Sequence, residues 1–416
     1  MSKLLKVTAM TGLLTLVKMA IGFIIAKVVA IYAGPSGMAM LGQVQSLVNG
    51  FNGVINAPVS NGVVRYTAEF NEQGYEACSP WWKAALHWAL ILSCILIPVG
   101  LISAQSLSLF LFREQSYKWI IYVTVIALPL TAIGSLVNSV INGQQRYKLY
   151  VTLGMVSAIV SGTCMIILII YANLNGALLS AALQSALIGL VLILFSLRQP
   201  WLKFRYWWGL APKQAYRAIG GYILMASATA LAMPVSLVLL RNILVSHVGW
   251  DLAGQWQAVW KISEVYLGVC TMALSAYYLP KLSTIKGFEN TKLEIKNTAK
   301  VILPLVTIMA VCIYFLRDIS ITILFTEQFR QARDLFAIQL IGDVIKIASW
   351  LYAFPMIARN ATKWFISTEL IFSSTFVILG YFFIKKFGLQ GANIAYLLNY
   401  VIYLLFMVFN LKRFSS

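Results

Sequence analysis

Charge is scarce in this sequence. Only 11% of its 416 residues are Asp, Glu, Lys or Arg, less than half the share of about 25% found in soluble domains. So little charge cannot cover a water-facing surface, which excludes a soluble enzyme. It also excludes a free nucleic-acid-binding domain, although the net charge of +19 would otherwise invite that reading. Acids are scarcest, 13 against 32 Lys and Arg. Histidine is nearly absent. His87 and His247 lie far apart, which argues against a Ser-His-Asp arrangement or a histidine-held metal. The five cysteines, Cys78, Cys94, Cys164, Cys270 and Cys312, show no CxxC spacing, which excludes a zinc ribbon or an iron–sulfur site. The GxxxxGK[ST] phosphate loop is missing, so the chain carries no ATP motor of that kind, and no cofactor is expected.

What is abundant is apolar surface. The chain is 60% hydrophobic with a mean hydropathy of +0.81. A membrane-spanning helix takes about 20 mostly apolar residues, and this pattern predicts twelve: 7–33, 37–64, 84–105, 119–142, 149–172, 176–197, 216–246, 252–280, 300–326, 333–357, 364–384 and 390–411. Lys3 and Lys6 ahead of the first run imitate a signal peptide. The run continues through Lys18 and Lys27 to Ala33 with no A-x-A site, so an uncleaved first helix is expected. Gly34-Pro35-Ser36-Gly37 and Tyr171–Gly176 read as turns. The polar stretches 198–215 and 281–299 are too short for folded domains, so function must lie in the membrane region. In this topology twenty Lys and Arg fall on the side of both termini and seven on the other, which places the termini in the cytoplasm. Asn360-Ala361-Thr362 matches a glycosylation sequon, but it falls on the cytoplasmic side and is set aside.

The two halves echo each other. Leu41-Gly42-Gln43-Val44-Gln45 resembles Ala253-Gly254-Gln255-Trp256-Gln257 at an offset of 212, and Arg65-Tyr66 falls opposite Tyr277-Tyr278 at the same offset. Lys27 falls opposite Arg241 if the turn differs by two residues. An even number of spans per half makes this a parallel repeat, with a substrate path between the halves. The expected organisation is a six-helix lobe at 1–197, a cytoplasmic linker at 198–215 and a second six-helix lobe at 216–416.

Eight ionisable residues fall inside these spans: Lys18, Lys27, Arg241, Lys261 and Lys346, with Glu264, Asp343 and Glu369. Each costs at least about 2.5–3.5 kcal/mol at a helix centre, so such residues normally face a cavity or a partner. Lys261/Glu264 and Asp343/Lys346 are spaced i,i+3 and are expected to pair on their own helices. Glu369, near a helix end, can snorkel. Lys18, Lys27 and Arg241 have no local acid and are the candidate cavity cations. Lys18 and Lys27 are nine residues apart, on opposite faces of an ideal helix. Either Gly22 allows a bend or only one of them faces the cavity. A cationic set in low dielectric asks for an anionic substrate such as a phosphate. Tyr66, Trp256, Trp260, Tyr266, Tyr277 and Tyr278 lie close by and could stack on sugar rings or simply pack.

Residues 329–346, Phe-Arg-Gln-Ala-Arg-Asp-Leu-Phe-Ala-Ile-Gln-Leu-Ile-Gly-Asp-Val-Ile-Lys, resemble a stretch typical of Wzx-type lipid-linked oligosaccharide flippases. So do Trp256-Gln257, Ile262-Ser263-Glu264-Val265-Tyr266-Leu267, Tyr278-Leu279-Pro280-Lys281-Leu282-Ser283 and Gly34-Pro35-Ser36-Gly37. The resemblance implies the all-α fold of the multidrug/oligosaccharidyl-lipid/polysaccharide (MOP) exporters, related to the MATE transporters, with two six-helix lobes in a V. It implies an undecaprenyl-diphosphate-linked oligosaccharide as substrate, an O-antigen or enterobacterial common antigen unit. This would cross the inner membrane in partnership with the polymerase and chain-length regulator of the same pathway. By position the family's substrate-binding cations correspond to Lys18, Lys27, Arg65 and Lys261, joined by Arg241, and Asp343 or Glu264 is the candidate coupling carboxylate. Two alternatives stand beside this reading. A multidrug antiporter of the same fold would call for a net negative cavity, whereas here five cations face three acids. A membrane-embedded polymerase or ligase would need large external loops, whereas these are short.

Overall fold

The computed structural model describes residues 3–359 and 361–415; Asn360, the first residue of the sequon, lies outside them. All regular structure among these residues is helical. The helices are α1 (Lys3–Tyr32), α2 (Gly34–Asn56), α3 (Asn61–Phe70), α4 (Tyr75–Phe112), α5 (Lys118–Ile126), α6 (Leu128–Gly143), α7 (Tyr147–Ser196) and α8 (Phe204–Trp207). They continue with α9 (Lys213–Ala273), α10 (Leu279–Thr284), α11 (Phe288–Phe315), α12 (Arg317–Leu324), α13 (Phe336–Ala358), α14 (Thr362–Phe387) and α15 (Leu389–Ser415). Eight helices among the described residues are long and apolar enough to cross a membrane, and the α5–α6 pair, bent by 40°, makes a ninth.

Two of these helices are double. Asn173, at φ 46° and ψ −124°, breaks α7, and Gly249, at φ 83° and ψ 174°, breaks α9. With these breaks and the 23-residue α2, which is less apolar, the helices supply the twelve passages read from the sequence. The Gly34 turn works through its φ of +64°, a left-handed conformation open to glycine, after which Pro35 starts α2 directly. The stretch 281–299 differs from expectation. It is mostly helix, because α11 starts at Phe288 behind Gly287 and carries its charged first turns beyond the apolar segment. Hydropathy marks the lipid-facing part of a helix and not its end.

The chain forms two compact units, Met1–Val28 with Gln43–Val235, and Val29–Gly42 with Ser236–Ser416. Contact thus places the end of α1 and the start of α2 in the C-terminal unit. Glycines permit this: a Cβ on Gly254 would collide with the Pro35 carbonyl, and one on Gly42 would lie 2.7 Å from Gln257 Oε1. The repeat glutamines hold matching positions. Gln43, fully buried, donates to the Leu111 carbonyl at the end of α4 (3.3 Å). Gln255 donates to the Gln328 carbonyl (2.6 Å) and accepts from the Ala332 amide (3.0 Å). Each ties its helix to the segment that ends the following passage. The stretch 198–212 is pinned to the N-terminal unit by Trp201 and Trp207, which pack with Trp82 at ring-centroid distances of 6.3 and 5.2 Å.

Candidate functional site

The C-terminal unit concentrates its polar chemistry on α9, α13 and α15. Beyond the Gly249 break, α9 presents Trp260, Ser263, Glu264, Leu267 and Thr271 toward one cavity, at the i, i+3, i+4 spacing of a single helix face. α13 presents Gln339, Asp343, Lys346 and Trp350 at steps of four, three and four. α15 adds Tyr396 and Tyr400, one turn apart. α13 packs on α15, and Gly342 lets them meet, since a Cβ there would lie 2.6 Å from the Tyr396 ring.

Asp343 is fully buried. Its Oδ2 accepts from Ser263 Oγ and Tyr266 Oη, both at 2.6 Å, and its Oδ1 from Tyr396 Oη at 2.7 Å and Gln339 Nε2 at 3.3 Å. Four donors on two oxygens satisfy an acceptor-only carboxylate in a place where water is scarce.

The expected Asp343–Lys346 ion pair does not form. The Lys346 ammonium lies instead over Trp350 (5.1 Å), Tyr400 (5.2 Å), Tyr396 (5.5 Å) and Trp260 (5.7 Å). Spacing of i,i+3 brings two Cβ atoms together but leaves each side-chain tip free to choose a partner on another helix. The companion pair is present: Lys261 Nζ lies 3.2 Å from Glu264 Oε2, and Trp260 Nε1 donates to Glu264 Oε1 at 3.0 Å. Trp260, Ser263, Glu264, Gln339, Lys346 and Tyr396 help to line a cavity of about 170 Å³.

Arg241 departs from its expectation as a cation without a partner. It is 1% exposed and its Nε donates to the buried Gln257 Oε1 at 2.9 Å, beneath Gly42. In this unit the cations Arg241, Lys261 and Lys346 are matched in number by Glu264, Asp343 and Glu369. The cationic surplus among the intramembrane groups therefore lies on α1 of the N-terminal unit, where Lys18 is exposed and Lys27 half-buried. Arg65, on α3, is exposed. Its guanidinium lies 5.4 Å from the Tyr66 ring, which stacks on Trp81 at 3.8 Å.

The structure thus brings Lys261, Glu264, Asp343 and Lys346 into one cluster and places Arg241 in the same unit. Lys18, Lys27 and Arg65 belong to the other unit. Sequence reasoning missed Gln257, Gln339, Trp350, Tyr396 and Tyr400. The periodic Gln339–Asp343–Lys346–Trp350 face was available as a signal, and so was the Tyr396–Tyr400 step.

No family model matches the chain. It is 26% identical over 412 residues to the Lipid III flippase of Escherichia coli (strain K12) and equally to that of Shigella flexneri, spanning 96% of this chain and 96% of each relative. Among solved structures, an inward-facing multidrug resistance MATE family transporter of the MOP superfamily superposes with a TM-score of 0.74 at 15% identity, covering 97% of this chain and all of that one. The lipid II flippase MurJ in an inward closed conformation gives 0.72 at 15% identity, covering 98% and 87%. The fold is the all-α polytopic MOP exporter fold, and the chain is a multi-pass membrane protein.

Proposed function

We propose that the chain is a lipid-linked oligosaccharide flippase of the MOP superfamily. Its substrate is an undecaprenyl-diphosphate-linked oligosaccharide, an O-antigen or enterobacterial common antigen unit, moved unchanged from the cytoplasmic to the periplasmic leaflet. The observation that carries this reading is similarity along nearly the whole chain to two Lipid III flippases. Physical chemistry supports it. The cationic surplus within the membrane suits a diphosphate, because charge-assisted hydrogen bonds to phosphate strengthen where water is excluded. A multidrug antiporter would want the opposite sign.

In this reading the protein is a transporter and not an enzyme. Its lobes are 1–197 and 216–416, joined by a cytoplasmic linker at 198–215. It sits in the bacterial inner membrane with both termini in the cytoplasm, next to the polymerase and chain-length regulator of its pathway. Lys18, Lys27, Arg65 and Lys261 receive the diphosphate and sugars, exposed alternately to the two leaflets while the lipid tail stays in the bilayer; Arg241, buried against Gln257 in this structure, joins them in another conformation of the cycle. Asp343 or Glu264 is the candidate coupling carboxylate.

The test is complementation of a strain lacking the gene. Lys18→Ala, Lys27→Ala and Arg241→Ala are expected to abolish surface glycan display while the protein still inserts. Normal display from all three and from the triple variant would overturn the role of these cations.

A further inference from the structure

The surroundings of Lys346 are unusual for an ammonium. A lysine head is strongly hydrated and usually ends in water or against a carboxylate. Here, among the described residues, no carboxylate lies within ion-pair distance and no hydrogen bond to the Nζ is found. What surrounds it are four aromatic rings from three helices, with centroids 5.1 to 5.7 Å away. One ring within about 6 Å of a cation already counts as a cation–π contact, and boxes of several rings are how proteins hold small ammonium ligands. Trp260 is braced by Phe376 (6.2 Å) and Tyr396 (5.3 Å). Tyr396 and Tyr400 pack edge to face at 4.9 Å. The box is therefore a held structure that does not depend on the lysine for its walls.

The negative charge is also arranged around the box and not inside it. Asp343, one turn away on α13, has both oxygens engaged by Ser263, Tyr266, Tyr396 and Gln339. Glu264 is engaged by Trp260 and Lys261. Glu369, on α14, is a third carboxylate whose charge acts on Lys346, and it too lies beyond ion-pair distance. All three carboxylates bias the site toward a cation without occupying the place over the rings. The cavity of about 170 Å³ reaches Lys346, Trp260, Trp350 and Tyr396, so the box has an opening.

We propose that Trp260, Trp350, Tyr396 and Tyr400 form an ammonium-binding site that the chain occupies with its own Lys346, a tethered cation that takes the place of an external one in the C-terminal unit. An external alkylammonium has no place to bind while the lysine is present. Once the tether is cut, the box is an open receptor for a small primary ammonium ion. This holds whatever the transported substrate proves to be.

Lys346→Ala removes three methylenes and the ammonium, which together are n-propylammonium. The experiment measures binding of n-propylammonium chloride, and of n-propanol as the uncharged match, to the full chain in lipid nanodiscs by calorimetry and thermal shift. For Lys346→Ala the expected result is binding of n-propylammonium at least about tenfold tighter than n-propanol, which corresponds to about 1.4 kcal/mol. Wild type is expected to bind neither measurably. The proposal is overturned if folded Lys346→Ala binds both compounds alike, or if wild type binds n-propylammonium as tightly as the variant does. Should Lys346→Ala not fold, Lys346→Ser, which vacates nearly the same space, takes its place in the same calorimetry and thermal-shift comparison, and equal binding of the two compounds by it overturns the tethered cation. Calorimetry reads the box itself, so loss of binding sinks this proposal alone, while loss of lipid transport in wild type sinks the flippase reading alone.

Discussion

Asp343 is the residue whose removal should cost the structure most for its size. Truncation to alanine leaves the hydroxyls of Ser263, Tyr266 and Tyr396 and the Gln339 amide without their acceptor, all within a buried cluster. Hydrogen bonds between helices in membranes average about 0.6 kcal/mol and reach about 1.7. A donor left buried and unpaired costs about 1–3 kcal/mol. Ser263 can turn to a carbonyl of its own helix, but the tyrosines have no such recourse. The expected loss for Asp343→Ala is about 2–4 kcal/mol. Asp343→Asn should fall between, since it keeps one acceptor oxygen and sets a donor against two donors. Tyr266→Phe removes a single donor and should cost about 0.6–1.7 kcal/mol. Unfolding measured in a lipid environment orders the three variants. If Asp343→Ala proves no less stable than Tyr266→Phe, the carboxylate does not organise the cluster and the four-donor account is wrong.

Other consequences are smaller in scope. Gly254→Ala should destabilise by about 1–3 kcal/mol through overpacking against the Pro35 carbonyl. Gly221→Ala, with nothing within 4 Å of its Cβ, should be neutral or mildly stabilising by thermal shift; equal effects would contradict the close approach. Breaking the Lys261–Glu264 pair with Lys261→Ala should change stability by less than about 1 kcal/mol, because its side chains are 28% and 46% exposed.

The sequence was informative wherever one helix decides the outcome. Apolar runs located the passages, and the Tyr171–Gly176 turn lies around the Asn173 break. Helix ends escaped it, because charged first turns such as those of α11 extend past the apolar segment. The i,i+3 spacing made the Lys261–Glu264 pair legible, but the same spacing misled at Asp343 and Lys346, whose tips find partners on other helices. The Asp343 cluster was only partly legible: Gln339 lies four residues before it on α13, but its other three donors come from α9 and α15, 77 and 53 residues away for the two tyrosines, and no spacing within α13 encodes those. The same holds for the box around Lys346: nothing in the sequence joins Trp350 to Tyr396 and Tyr400 until three helices meet. Gly42 and Gly254 stood out as repeat positions, but their role in close approach appears only once Pro35, Arg241 and Gln257 are in place.

The measurement that bears most directly on the central claim uses the purified chain in liposomes loaded with an undecaprenyl-diphosphate-linked oligosaccharide. An impermeant probe that reacts only with outer-leaflet sugar reports its crossing. The account predicts that the chain raises the reactive fraction above that of empty liposomes, that the recovered lipid is chemically unchanged, and that Lys18→Ala with Lys27→Ala removes the increase. A chain that leaves the reactive fraction at the level of empty liposomes, or that returns a lengthened or transferred glycan, would contradict it.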